Sequence, residues 1–150
     1  MAQIATSAHI TYAGWRDLRD LAAIQRASFR RDLAYKWWML AFFWLMPGIT
    51  FLVTRDGDRA TGSIIADVDR GRLRIMNIAV HPDYRQQGIG TELMNAVLDK
   101  YPQLSAVLMV QEHNTAAQSM YARMGFVRTG TMDSYYGTGN TGIEMTLKRS

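Results

Sequence analysis

The sequence predicts an α+β domain in which helices pack on a mixed β-sheet. Three observations carry this. Residues 50–80 read as three strands joined by turn signals, and residues 88–100 carry a helical apolar stripe closed by a proline. A strand, a capped helix and a closing pair of strands then follow in order, so that strands and helices are interleaved along one chain. The third is size: 150 residues, 48% of them hydrophobic, are enough for one buried core and too few for two ordinary domains. One domain over residues 1–150 is expected.

Each element has a local reason. Residues 9–13 form a short strand, and Asp17 caps a helix over residues 17–29 with Leu18, Leu21, Ile24 and Phe29 on one face. A second helix covers residues 32–45 and stops at Pro47-Gly48. Its apolar run WWMLAFFWLM, residues 37–46, is far short of the roughly 20 residues that span a bilayer. The run reads first as a buried helix or one covering the sheet; a homodimer face and a wall of a substrate groove are the alternatives.

The strand over residues 50–55 turns at Asp56-Gly57, that over 61–68 turns at Asp69-Arg70-Gly71, and residues 72–80 complete a meander. The helix from Gly88 to Lys100 repeats Ile89, Leu93, Val97 and Tyr101 at i+4, and Pro102 ends it. Residues 106–111 are β-branched and apolar. Asn114 caps a helix whose face is Ala117, Met120, Tyr121 and Met124, and Gly125 sits where a helix-terminating glycine belongs. Residues 126–132 and 142–147 close the sheet.

Composition excludes several functions. The absence of cysteine removes a disulfide framework, a thiolate zinc site and a cysteine nucleophile, and fits a reducing, cytoplasmic setting. His9, His81 and His113 have no ligand spacing, so no metal is expected. The charge of +4 favours an anionic ligand, but the basic residues form no stripe interleaved with aromatics, so nucleic acid is not an expected partner. The N-terminus MAQIATSAHI lacks a basic segment followed by an apolar one, so neither a secretory signal nor a membrane partner is expected.

The chemistry concentrates in Ile78-Ala79-Val80-His81-Pro82-Asp83-Tyr84-Arg85-Gln86-Gln87-Gly88-Ile89-Gly90-Thr91. A strand ends, a proline loop follows, and glycines open an amphipathic helix. Free N–H groups at such a start form an anion nest suited to a pyrophosphate. A dinucleotide fingerprint would need glycine at Leu93, and no Gly-Lys-Ser/Thr completes a P-loop. On its own, Arg85-x-x-Gly88-x-Gly90 also fits a mere tight turn.

A second motif agrees with the first. Residues 114–126 have the form N-x-x-A-x-x-x-Y-x-x-x-G-F, built on Asn114, Ala117, Tyr121, Gly125 and Phe126. Together the two motifs resemble the GNAT superfamily of N-acetyltransferases over residues 51–147, while the first fifty residues match only in having a strand and two helices. The resemblance implies a twisted, mostly antiparallel mixed sheet of about seven strands, with about four helices on both faces. The sheet should splay near the ends of the strands over residues 72–80 and 106–111, beside the Gly88 helix. It implies an enzyme that passes the acetyl group of acetyl-CoA directly to a primary amine.

It also implies roles. Backbone groups of Ile78, Ala79 and Val80 would pair with the pantetheine arm. Amides of Arg85, Gln86, Gln87, Gly88, Ile89, Gly90 and Thr91 would hold the pyrophosphate, and Asn114 and Ala117 would flank the cofactor. Tyr121 occupies the position of the acid that protonates the leaving thiolate; a phenol of ordinary pKa near 10 holds its proton at neutral pH. It also reads as a core aromatic.

Tyr135 and Tyr136 in the last hairpin, with Asn77 to Val80 on the fourth strand, are similar to the ribosomal-protein alanine N-acetyltransferases and related protein N-terminal acetyltransferases. There the hairpin tyrosines grip the substrate. Two positions depart from that group: Met109 stands where Glu or His serves as base, and Arg74 where some relatives carry tyrosine. Neither can accept a proton. Glu112, His113 or an ordered water is left for the task, or the amine arrives already deprotonated. A small-molecule amine, a non-catalytic acyl-CoA-binding module and an interaction protein built on residues 37–46 remain competing readings.

Overall fold

The computed structural model describes residues 9–149. The leaderless reading of residues 1–10 falls mostly outside them. Seven strands form one sheet in the order β1-β2-β3-β4-β5-β7-β6. They are β1 (Ile10–Tyr12), β2 (Thr50–Asp56), β3 (Arg59–Asp69), β4 (Arg72–Val80), β5 (Ala106–Gln111), β6 (Val127–Met132) and β7 (Gly142–Leu147). Among the described residues four α-helices accompany them: α1 (Leu18–Ser28), α2 (Trp37–Leu45), α3 (Ile89–Lys100) and α4 (Thr115–Arg123). All pairings are antiparallel except β4 with β5.

Two apolar clusters sit on opposite faces of the sheet. Leu93, Met94, Val97 and Tyr121 of α3 and α4 pack with Leu73, Leu108 and Ile143 on one face. Leu18, Leu21, Ile24 and Leu40 of α1 and α2 pack with Phe51, Val53 and Ile65 on the other. Side chains of successive strand residues alternate between these faces, which is what divides the strands' apolar residues into two cores.

The parallel pairing is short. It runs only from Leu73 opposite Ala106 to Ile75 opposite Leu108. Beyond it, β4 stays with β3 as far as Val80 opposite Gly62, while β5 stays with β7 as far as Gln111 opposite Gly142. The sheet therefore opens between β4 and β5. Met76 is an extra residue at the same place, because Ile75 pairs with Ala66 and Asn77 with Ile65. Such a bulge sharpens local twist and re-aims side chains. Asn77 here turns toward α1, where its Oδ1 accepts from Nε2 of the fully buried Gln25 at 2.7 Å.

Turn chemistry matches the sequence. Arg70 and Gly71 both take positive φ, 51° and 77°, as a two-residue hairpin between paired Asp69 and Arg72 requires. Asp17 precedes α1 but makes no side-chain cap bond to it. Its nearly buried carboxylate instead accepts from the Gly14 N–H (2.7 Å) and from Arg55 (Nε 2.9 Å, Nη2 2.6 Å), tying the helix start to β2.

The second helix differs most from expectation. It begins at Trp37, not Asp32, because Lys36 is extended (ψ 159°) and residues 31–34 form a turn. It is the sheet-covering alternative and not a buried helix: Leu40 is buried with Phe51, Val53 and Ile65 of the sheet, whereas Trp37, Trp38, Phe42 and Leu45 are 53–72% exposed. An all-apolar helix has no periodic face that tells which side meets the core. No helix among the described residues is long and apolar enough to cross a membrane.

Candidate active site

The open seam between β4 and β5 is the floor of a cleft that reaches the starts of α3 and α4 and the β6–β7 hairpin. Hydrogen bonding along β4 shows which backbone groups face it. The His81 N–H bonds to the Thr61 carbonyl at 2.8 Å, so His81 is a bonded pair with β3. Bonded and non-bonded positions alternate in an antiparallel ladder, so the backbone of Val80 and Ile78 points away from β3 into the gap. This leaves an extended run of groups able to receive another extended chain.

The loop after β4 is braced on both sides. His81 Nδ1 accepts from the Asp83 N–H (3.0 Å), and the Tyr84 hydroxyl donates to Asp56 (2.6 Å). Arg85 folds back so that Nε donates to the Val80 carbonyl (3.1 Å) and Nη2 to Ser28 Oγ (3.0 Å). That carbonyl is thus already engaged, and the Val80 N–H is the group left facing the gap.

Gln86 and Gly88 take positive φ, 63° and 82°, and the α3 ladder starts with the Glu92 N–H bonding to the Gly88 carbonyl (2.9 Å). The first N–H groups of a helix have no partner within it. Alternating backbone hands together with those free amides make a concave anion nest. A Cβ built on Gly88 would meet no atom within 4 Å, so this glycine borders open space. At Gly90 a Cβ would lie 3.3 Å from Met120 Sδ. That glycine lets α3 approach α4, a packing role the sequence pattern does not distinguish from ligand contact. The nest and the gap-facing strand fit a ligand with a diphosphate and an extended amide-bearing arm.

Asn114 Oδ1 accepts from the Ala117 N–H at 3.1 Å, capping α4 as expected. On that helix Tyr121 is 5% exposed, lines the cleft, and packs its ring 5.9 Å from Phe126. Burial pushes its phenol up to about 12, so it carries a proton throughout the neutral range. Tyr135 and Tyr136 meet edge to face at 4.8 Å, and both line the cleft. Burial foremost, and then the neighbouring Tyr135, Tyr121 and Tyr35, raise the Tyr136 pKa.

The cleft gathers Ile78, Ala79, Val80, Arg85, Gln86, Gly88, Ile89, Gly90, Thr91, Asn114, Ala117, Tyr121, Tyr135 and Tyr136; Gln87 does not line it. Of the side chains considered as bases, Glu112 is outside its lining. His113 is inside, but its Nε2 is bonded to Asn140 Oδ1 (3.0 Å), which secures the β6–β7 hairpin. Arg74 is held by both oxygens of Asp67 (2.9 and 2.6 Å). Glu144 of β7, which the sequence reading passed over, also lines the cleft. Its position between the inward Ile143 and Met145 was the signal: a charge within an apolar alternation marks the face opposite that core.

An open mixed sheet with an anion nest and a buried phenol at its seam is the frame of an acyl-CoA-dependent acyltransferase. The chain belongs to the acetyltransferase (GNAT) family, whose model matches residues 15–126, and transfers an acetyl group from acetyl-CoA to an amine. It is 30% identical over 138 residues to an uncharacterized N-acetyltransferase of Methanocaldococcus jannaschii, covering 89% of this chain and 87% of the relative. It is 38% identical over 109 residues to N-alpha-acetyltransferase 30 of Schizosaccharomyces pombe, covering 67% and 72%. The fold is like that of the ribosomal-protein-S18-alanine N-acetyltransferase from Escherichia coli, with a TM-score of 0.83, 23% identity and coverage of 95% and 94%.

Proposed function

We propose that the acceptor is the free α-amine of a peptide or protein N-terminus, acetylated in the cytoplasm. The observation that carries this reading is the Tyr135–Tyr136 pair, which meets edge to face in a tethered hairpin and lines the same cleft as Tyr121. A rigid aromatic wall suits the first residues of a peptide better than it suits a polycationic small amine. The identity to N-alpha-acetyltransferase 30 supports the same acceptor class.

In this reading acetyl-CoA supplies an activated acyl group, and the chain's own groups bind and orient. The amides at the α3 start hold the diphosphate. The Ile78 and Val80 backbone aligns the pantetheine arm, and the Val80 N–H is placed to stabilise negative charge on the thioester oxygen. The neutral amine attacks: an N–C bond forms, the C–S bond breaks, one proton leaves the nitrogen and one reaches the sulfur. Tyr121, with its pKa near 12, is a weaker acid than a thiol of roughly 8.5. It therefore acts by donating a hydrogen bond to the departing sulfur, and the thiolate takes its proton from water.

Thiol release measured over a panel of free-N-terminus peptides, polyamines and aminoglycosides tests the acceptor. Peptides are expected to be preferred, and consistent preference for a small amine refutes the reading. Tyr135→Ala should raise the peptide KM about five- to tenfold, the loss of one exposed aromatic contact, and move the acetyl-CoA KM less than twofold.

A further inference from the structure

The cleft has no proton-accepting side chain at Met109, yet β7 places a carboxylate beside that residue. Met109 and Glu144 are register partners on adjacent antiparallel strands. Ile143 and Met145 bury themselves against α3 and α4, so Glu144 projects from the other face. Gly142 shares that face two residues earlier. A Cβ there would lie 2.8 Å from Met109 Cε and 2.9 Å from Tyr135 Cβ, so only glycine lets both close over the strand next to Glu144.

The carboxylate is also held. Glu144 Oε1 accepts from Thr129 Oγ1 at 2.7 Å, and Thr129 is bonded in turn to Thr146 Oγ1 at 2.9 Å. Oε2 is the oxygen left for a ligand. Among the residues lining the cleft, Asp32 is the only other acid, and Arg30 already pairs with it (2.8 Å) on the exposed rim. The remaining charges that line the cleft, including Arg74, Arg85 and Lys36, are cationic and would repel an ammonium.

We infer that Glu144 is the acceptor-binding carboxylate of this enzyme, receiving the substrate ammonium from the strand next to Met109. This rests on the reading of the cleft as the acceptor site. A primary ammonium carries three protons and the product amide one. One proton therefore passes through Glu144, directly or by a bound water, to solvent. The other leaves the nitrogen to solvent as the N–C bond forms and the C–S bond breaks, and it is balanced by the proton that the departing thiolate takes from water.

Steady-state kinetics of Glu144→Gln, Glu144→Asp and the double variant Glu144→Gln/Met109→Glu provide the test, with a free-N-terminus peptide and acetyl-CoA. Glu144→Gln is expected to raise the peptide KM about tenfold, the worth of one charge-assisted hydrogen bond, with the acetyl-CoA KM and melting temperature unchanged. Glu144→Asp should lose less. The double variant should recover most of the loss, because it restores a carboxylate on the neighbouring strand. A peptide KM and kcat equal to wild type in Glu144→Gln overturn the inference, as does a loss shared by the acetyl-CoA KM. If the wild type prefers a small amine, the peptide reading fails, and the same comparison with that amine still decides the role of Glu144. A wild type that acetylates none of the panel overturns both.

Discussion

Gly88→Asp is expected to lower acetyl-CoA affinity about a hundredfold without unfolding the protein. Gly88 has φ +82° and a Cβ there meets no atom within 4 Å, so the substitution starts into open space at the proposed nest. Aspartate tolerates positive φ better than most residues, which limits the backbone cost. Its charge then faces a diphosphate. At about 5 Å and an effective dielectric of roughly 40, each repelled charge costs about 1.7 kcal/mol, so two cost more than the roughly 2.7 kcal/mol that a hundredfold represents. Calorimetric titration with coenzyme A, alongside a melting curve, measures the effect. Unchanged affinity in a folded variant would refute the nest. Gly90→Asp should behave differently: its Cβ meets Met120 Sδ at 3.3 Å, so melting temperature falls along with affinity.

Tyr121→Phe should lower kcat about a hundredfold and leave acetyl-CoA affinity within about twofold. A hydrogen bond to a charged acceptor is worth about 1.5–3 kcal/mol, or roughly ten- to 150-fold. Tyr121 gives a hydrogen bond and not a proton, because burial holds the phenol near 12, where full proton transfer to sulfur is uphill. The interaction forms only as charge develops on sulfur, so kcat bears the loss. Phenylalanine keeps the ring against Phe126 and so separates catalysis from packing. Full activity in the folded variant would make the tyrosine structural.

Most of the fold is legible because strands β2 to β4 and helices α3 and α4 carry consistent signals: alternation, turn residues, caps and a terminating proline or glycine all agree. The failures share a cause. Residues 37–46 are apolar on every side, so their sequence holds no information about which side is covered. Asp17 has the spacing of a cap, but Arg55, distant in sequence, claims its carboxylate. The proposed cofactor side of the cleft is local, one strand–loop–helix segment plus one capped helix, and its pattern survives in sequence. The proposed acceptor side is assembled across strands. Glu144 next to Met109 follows from β5–β7 register, which nothing within either strand specifies.

The short pairing of β4 with β5 also bears on how the chain avoids misassembly. Past Ile75 and Leu108, two strands in the middle of the sheet present unsatisfied edges, a form of backbone that readily recruits foreign strands into aggregates. In the finished molecule those edges line a cleft whose walls include residues of α3, α4 and the last hairpin. During refolding, before those elements dock, the same edges are open to other chains. In the proposed binding mode the ligand is a guard as well as a reactant: by filling the seam it removes the template, so coenzyme A present during refolding should raise the yield of native protein over aggregate.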